Sequence, residues 1–164
     1  MGKLIQTFVA AIMAVAPPAL AEQQKDPLLD HMTGNWLLAG TIDGSATTHD
    51  VDADWVLDNG YVRLHEVSRT PAKEPYEALV LIGYDRTKSR YVCFWFDNTG
   101  IASPASGAVA QRKGNTLPFL FKTAQGNLHT TFIYDSRTDS WQWKIDEEEK
   151  GKTEPFARVT LKRR

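Results

Sequence analysis

The chain is punctuated at close intervals by groups of residues that favour tight reversals, and this punctuation limits the folds open to it more than any other feature. Such groups stand at Asp58-Asn59-Gly60, Asp85-Arg86-Thr87-Lys88, Asp97-Asn98-Thr99-Gly100, Lys113-Gly114-Asn115, Gln125-Gly126-Asn127 and Asp135-Ser136-Arg137-Thr138-Asp139. Their glycine, asparagine and aspartate residues tolerate positive φ or cap a turn. Between them lie short runs rich in β-branched and aromatic residues: Trp55-Val56-Leu57, Leu79-Val80-Leu81-Ile82, Tyr91-Val92-Cys93-Phe94-Trp95-Phe96, Thr131-Phe132-Ile133-Tyr134 and Trp141-Gln142-Trp143. These read as strands. One strand and turn every ~8–12 residues, with no long helical pattern after Gly34, predicts an all-β antiparallel barrel or sandwich.

The first residues read differently. Lys3 is followed by the apolar stretch 4–16, by Pro17-Pro18 and by Ala19-Leu20-Ala21 before Glu22. That order is the pattern of a secretory signal peptide over residues 1–21. The stretch is shorter than the ~20 residues a membrane span needs, and no later segment comes close. The expected organisation is therefore a signal peptide (1–21), an N-terminal segment with a short helix (22–33) and a single barrel domain (34–164). The expected location is periplasmic or secreted.

Nineteen Lys and Arg against 20 Asp and Glu give a net charge of −1, which leaves no basic surface for nucleic acid. Cys93 is the single cysteine. Lying between Val92 and Phe94, it reads as a buried, inert thiol. A lipoprotein anchor would need a cysteine where Glu22 stands.

One hairpin can be worked out from the sequence. A two-residue Asn59-Gly60 turn pairs Leu57 with Val62, Trp55 with Leu64, Ala53 with Glu66 and Val51 with Ser68. Val51, Ala53, Trp55, Leu57, Val62 and Leu64 then share the core face. The other face opposes Asp50 to Arg69, Asp54 to His65 and Val56 to Arg63. A one-residue slip would bury every aspartate, so the face assignment is firmly specified. It puts Glu66 on the inward side together with His49.

An inward carboxylate must be solvated at a barrel mouth, hydrogen-bonded or protonated. Three roles stay open for Glu66 and His49: a solvated rim, polar contacts in a ligand cavity, or an acid–base pair. The hairpin around 136–139 pairs Tyr134 with Trp141, Phe132 with Trp143 and Thr130 with Ile145, an aromatic inner face. His129, and by the earlier register His65, fall on the surface. Between Tyr76 and Phe96 both faces are apolar, so the facing of Glu77 stays open.

Asp50, Asp52 and Asp54 imitate the start of a calcium loop, but Trp55 and Tyr61 occupy the positions that need glycine and glutamate. The four histidines, at 31, 49, 65 and 129, have no metal-site spacing. No nucleophile elbow, zinc-protease motif, phosphate loop or paired-cysteine motif is present. The charge run Glu147-Glu148-Glu149-Lys150-Gly151-Lys152 reads as a solvated loop. Five tryptophans are more than packing alone usually requires in so small a chain, so one or two are expected to line a cavity.

Gly34-Asn35-Trp36, opening the first strand after the short helical stretch 26–32, resembles the G-x-W signature of the lipocalins and their calycin relatives. The resemblance implies that Trp36 closes the barrel bottom under a cation from the last strand, with Arg158 as first candidate and Arg163 as second. A more specific likeness is carried by Trp55-Val56-Leu57-Asp58-Asn59-Gly60-Tyr61, Tyr76-Glu77-Ala78, Gly83-Tyr84-Asp85, Tyr91, Phe94-Trp95-Phe96-Asp97, Gly100 and Trp141-Gln142-Trp143. Over most of 28–163 the chain resembles a bacterial domain-of-unknown-function family, number fifteen seventy-nine, whose members are taken to be lipocalin-like barrels. Ala78 stands where that family usually has glycine. The implied fold is an all-β, antiparallel up-and-down lipocalin-like β-barrel of about eight to ten strands with a short N-terminal helix. No activity is transferred by the likeness.

The first functional expectation is a barrel that binds a small hydrophobic or amphipathic molecule. Trp55, Tyr134 and Trp143 are its expected walls, and His49, Glu66 and Glu77 its polar contacts. The rivals are an enzyme, hydrolase or isomerase, using Glu66 and His49; a barrel holding haem through a histidine, as in nitrobindin-like proteins; and a filled barrel acting by surface contacts in the cell envelope. Neither a resident cofactor nor a metal is expected on the first reading, and the sequence does not specify oligomeric state.

Overall fold

The computed structural model describes residues 24–70, 75–99, 107–124 and 126–164. The expected signal peptide lies outside these residues, as do Gly100 and Gln125 of two turn groups. The one short helix, α1 (Pro27–Asp30), begins because Asp26 caps it, its carboxylate accepting from the Leu28 and Leu29 amides at 3.0 Å each. Pro27 suits the first helical position, where no amide hydrogen is needed. The helix is shorter than the stretch 26–32 suggests, and it buries Leu28 and Leu29.

Ten strands follow: β1 (Gly34–Ile42), β2 (Ser45–Val56), β3 (Tyr61–Ser68), β4 (Glu77–Asp85), β5 (Arg90–Asp97), β6 (Gly107–Ala110), β7 (Thr116–Lys122), β8 (Asn127–Asp135), β9 (Ser140–Glu149) and β10 (Lys152–Arg163). They form one antiparallel sheet in the order β6-β5-β4-β3-β2-β1-β10-β9-β8-β7. Its edge strands β6 and β7 come against each other, so the sheet curls into a nearly closed up-and-down barrel. Inward side chains alternate with outward ones along the strands, with a register shift between Pro155 and Ala157 in β10. No described helix is long and apolar enough to cross a membrane.

The β2–β3 hairpin keeps the predicted faces but not the predicted partners. Leu57, Asp58 and Asn59 all adopt positive φ (52°, 55° and 59°), and Gly60 N–H closes the loop on Leu57 O at 3.0 Å. Four residues therefore turn the chain instead of two. The pairs become Val56 with Tyr61, Trp55 with Val62, Ala53 with Leu64 and Val51 with Glu66. A shift of two residues preserves every facing, because side chains alternate with period two. Leu57 leaves the core altogether and is 71 % exposed.

On the outer face Asp54 now lies opposite Arg63 and Asp52 opposite His65. Asp50 still takes two hydrogen bonds from Arg69, at 2.8 and 2.7 Å, and these hold its carboxyl below the usual range. The β8–β9 hairpin has the predicted register throughout. The charge run at 147–152 is not a loop: β9 runs to Glu149, β10 starts at Lys152, and Lys150-Gly151 make a two-residue turn with positive φ at both, the geometry that matches strand twist. Asp43-Gly44 turns β1 into β2 in the same way.

Candidate functional site

Chain direction sorts the interior into two ends. Connections β2–β3, β4–β5 and β8–β9 share the end where α1 packs, and β1–β2, β3–β4 and β9–β10 lie at the other.

At the α1 end the polar atoms of Trp36, Trp55, Tyr91, Tyr134 and Trp141 all have partners. Trp36, fully buried, donates its indole N–H to Met32 O at 2.8 Å. The Arg163 guanidinium lies over its ring, 3.8 Å from the centroid, and also donates to Thr33 O, His31 O and Asp139. Asp139 is held below the usual carboxylate range chiefly by that Arg163 bond. The cation over Trp36 is thus Arg163 and not Arg158, which pairs with Asp146 and the carbonyls of Ile145 and Ala157. Gly34 makes the arrangement attainable: its φ is +119°, and a Cβ there would collide with the Arg163 guanidinium.

Trp55 and Tyr134, expected as cavity walls, belong to this closure. Trp55 donates to Asp30 at 2.8 Å. The Tyr134 hydroxyl donates to Asp139 at 3.0 Å, and its ring stacks on His31 at 4.5 Å. The Tyr91 hydroxyl donates to Asp26 at 2.9 Å; burial and then that carboxylate push the phenol up to about 12.

The other half of the interior holds the polar pair. Glu66 and His49 are 2 % and 4 % exposed, so the carboxylate is inside and not solvated at a rim. His49 Nδ1 bonds Glu66 Oε1, and Nε2 lies 2.6 Å from the Thr47 hydroxyl. Strand geometry accounts for the grouping: Thr47 and His49 are two apart on one face of β2, and Glu66 on β3 is diagonal to His49. Tyr76, just before β4, packs on His49 with ring centroids 5.7 Å apart. Burial first, and then the Glu66 charge, raise its phenol well above the ordinary value; the Trp95 indole donating to it works the other way. Trp95 in turn meets Trp143 at 4.9 Å, and Trp143 meets Phe132 at 4.9 Å.

A continuous arc therefore runs Glu66, His49, Tyr76, Trp95, Trp143, Phe132. Two buried atoms along it, Glu66 Oε2 and Trp143 Nε1, have no hydrogen-bond partner among the described residues. Buried polar atoms are nearly always paired, so an orphan marks a strained or unfilled position.

Of the expected contacts, the structure gathers His49, Glu66 and Trp143. Glu77 points outward, where it bonds His65 at 2.6 Å. Thr47, Tyr76 and Trp95 join the group although the sequence pattern does not mark them. Once the registers of β3–β4 and β4–β5 are known, parity accounts for two of them: Ala78 pairs with Glu66, so Tyr76 shares its face, and Trp95 pairs with Val80 on that face. His129 bonds Glu148 on the outside. Cys93 is free and fully buried, and burial raises its thiol well above the usual value.

No three described His, Cys, Asp or Glu side chains gather as a metal site. His49, the interior histidine, has both ring nitrogens engaged. A haem iron would have to displace Thr47 or Glu66, so the residues present do not fit that group.

Residues 21–117 match the family described as Protein of unknown function (DUF1579). The chain belongs to this family. The DUF1579 match takes in Thr47, His49, Glu66, Tyr76 and Trp95 and ends at the start of β7, so Phe132 and Trp143 of the arc lie beyond it. No curated protein matches the chain.

Proposed function

We propose that this barrel binds a small apolar or amphipathic molecule in the part of its interior lined by His49, Glu66, Trp95 and Trp143. The observation that carries the reading is the pair of orphaned buried atoms, Glu66 Oε2 and Trp143 Nε1, set along one aromatic arc. Apolar and aromatic walls with a few convergent polar groups are what small-molecule sites consist of. The leader-like residues 1–21 support a periplasmic or secreted carrier.

Trp95 and Trp143 report on such a ligand directly. Titration with an uncharged naphthyl dye is expected to quench tryptophan fluorescence saturably at one site per chain. Trp143→Ala is expected to weaken that binding on the order of tenfold or more, since aromatic anchors in buried sites dominate binding energy. A linear, unsaturable response would refute the proposal.

One observation favours a second reading, an enzyme of hydrolase or isomerase type. Thr47, His49 and Glu66 line up as hydroxyl, imidazole and carboxylate, the order of a proton relay. The acceptor open to a substrate is Glu66 Oε2, since Thr47 occupies the outer imidazole nitrogen. Proton abstraction by Glu66, with His49 steadying the other oxygen, is the chemistry this order suits. Loss of proton exchange from a bound carbonyl compound in Glu66→Gln, with its binding retained, is the expected sign.

A further inference from the structure

The two orphaned atoms of the arc differ in kind, and their difference specifies a ligand. A carboxylate oxygen only accepts hydrogen bonds and an indole nitrogen only donates. Both residues are 2 % exposed, so bulk water does not readily serve either. Glu66 has one ion-pair partner among the described residues, His49, and no described lysine or arginine reaches it. A neutral imidazole already satisfies both neighbours: its Nδ1–H donates to Glu66, and its Nε2 accepts from the Thr47 hydroxyl. The dyad then carries the full negative charge of the carboxylate.

From His49 the aromatic arc continues through Tyr76, Trp95, Trp143 and Phe132, whose ring faces are electron-rich. Asp97 is a second carboxylate near enough to Tyr76 to oppose its ionisation. A carboxylate at the end of an arc of aromatic rings, with no fixed cation among the described residues, favours an organic cation and disfavours an anion.

We propose that the ligand is a small protonated amine whose ammonium N–H donates to Glu66 Oε2 and whose apolar body lies against Trp95, Trp143 and Phe132. Trp143 Nε1 then donates to an oxygen elsewhere in the same molecule, so amino alcohols and amino ethers suit the site better than plain alkylamines. This assignment rests on the binding proposal above and narrows it to one chemical class.

Calorimetric titration of the full chain with octylamine, octanol and octanoate, at one ionic strength, separates the two proposals because the three share an apolar body. Octylamine is expected to bind tightest, on the order of 10- to 100-fold tighter than octanol, the range of a charge-assisted hydrogen bond. Octanoate is expected to bind more weakly than either. Glu66→Gln keeps a hydrogen-bonding group beside His49 and removes the charge. It is expected to bring octylamine to the level of octanol, with a melting curve showing that the variant is folded. The ranking on the unaltered protein decides the matter even if that variant does not fold. Octanol or octanoate binding as tightly as octylamine overturns the amine assignment and leaves the carrier standing, as does binding of the naphthyl dye with none of the three. Failure of all four probes overturns both proposals.

Discussion

Two sets of aromatic residues in the barrel interior are used to opposite effect. Near α1, Trp36, Trp55, Trp141, Tyr91 and Tyr134 each place a polar atom on a named partner. Deeper in the interior, Trp143 and Glu66 each leave a buried atom without one. A satisfied aromatic contributes packing and a hydrogen bond, and little about it can change without loss. An unsatisfied one has already forgone the hydrogen bond, so its polar atom does nothing for the folded state by itself. The contrast separates residues whose polar atoms are satisfied within the fold from residues whose polar atoms are not.

The sharpest way to break the comparison is Trp36→Ala, which removes a fully buried side chain, the Met32 bond and the surface on which Arg163 lies. A loss of about 3–5 kcal/mol in urea-induced unfolding is expected, the usual cost of emptying such a site. A smaller and more discriminating change replaces each indole by phenyl. Trp36→Phe is expected to cost about 1–3 kcal/mol because it leaves the Met32 carbonyl unpaired, whereas Trp143→Phe removes an orphaned donor and is expected to cost clearly less. Equal losses at the two positions would erase the distinction.

The smallest effect concerns acid. The Asp139 carboxyl is lowered in the folded chain, mainly by Arg163. Its stabilising contribution is therefore present above the ordinary carboxylate value of 3.8 and is lost as pH falls through the lower, folded value. Stability measured from pH 6 down to pH 2 is expected to fall less steeply in Asp139→Asn than in the unaltered protein. Identical profiles would show that the Arg163 strap does not depend on this charge.

Facing was legible in the sequence wherever one side of a strand is polar. Asp50, Asp52 and Asp54 fix the outward side of β2, so Glu66 and His49 could be placed inside although the partner register was two residues off. That error came from the turn: a β-hairpin through Asn59-Gly60 favours two loop residues, and nothing local announces that Leu57 will take a left-handed conformation. Between β4 and β6 the outer face carries Leu79, Phe96 and Val109, all exposed, so alternation disappears and Tyr76 and Trp95 could not be oriented from the sequence. Arg163 and Arg158 both belong to the last strand, but Arg163 pairs with Trp36 on the side of Val159 and Leu161, whereas Arg158 pairs with Thr41 on the opposite face. End position along a strand was the other blind spot. Trp55 and Tyr134 face inward as expected, yet they sit within two residues of a reversal at the α1 end, where closure claims them.

The sheet also has a seam. Strands β6 and β7 abut, but no ladder joins them among the described residues, whereas every other neighbouring pair is laced by backbone hydrogen bonds. The wall behaves there as a wrapped strip with overlapping ends, able to loosen its girth along one line without unlacing any pair of strands. Amide exchange should start from that line.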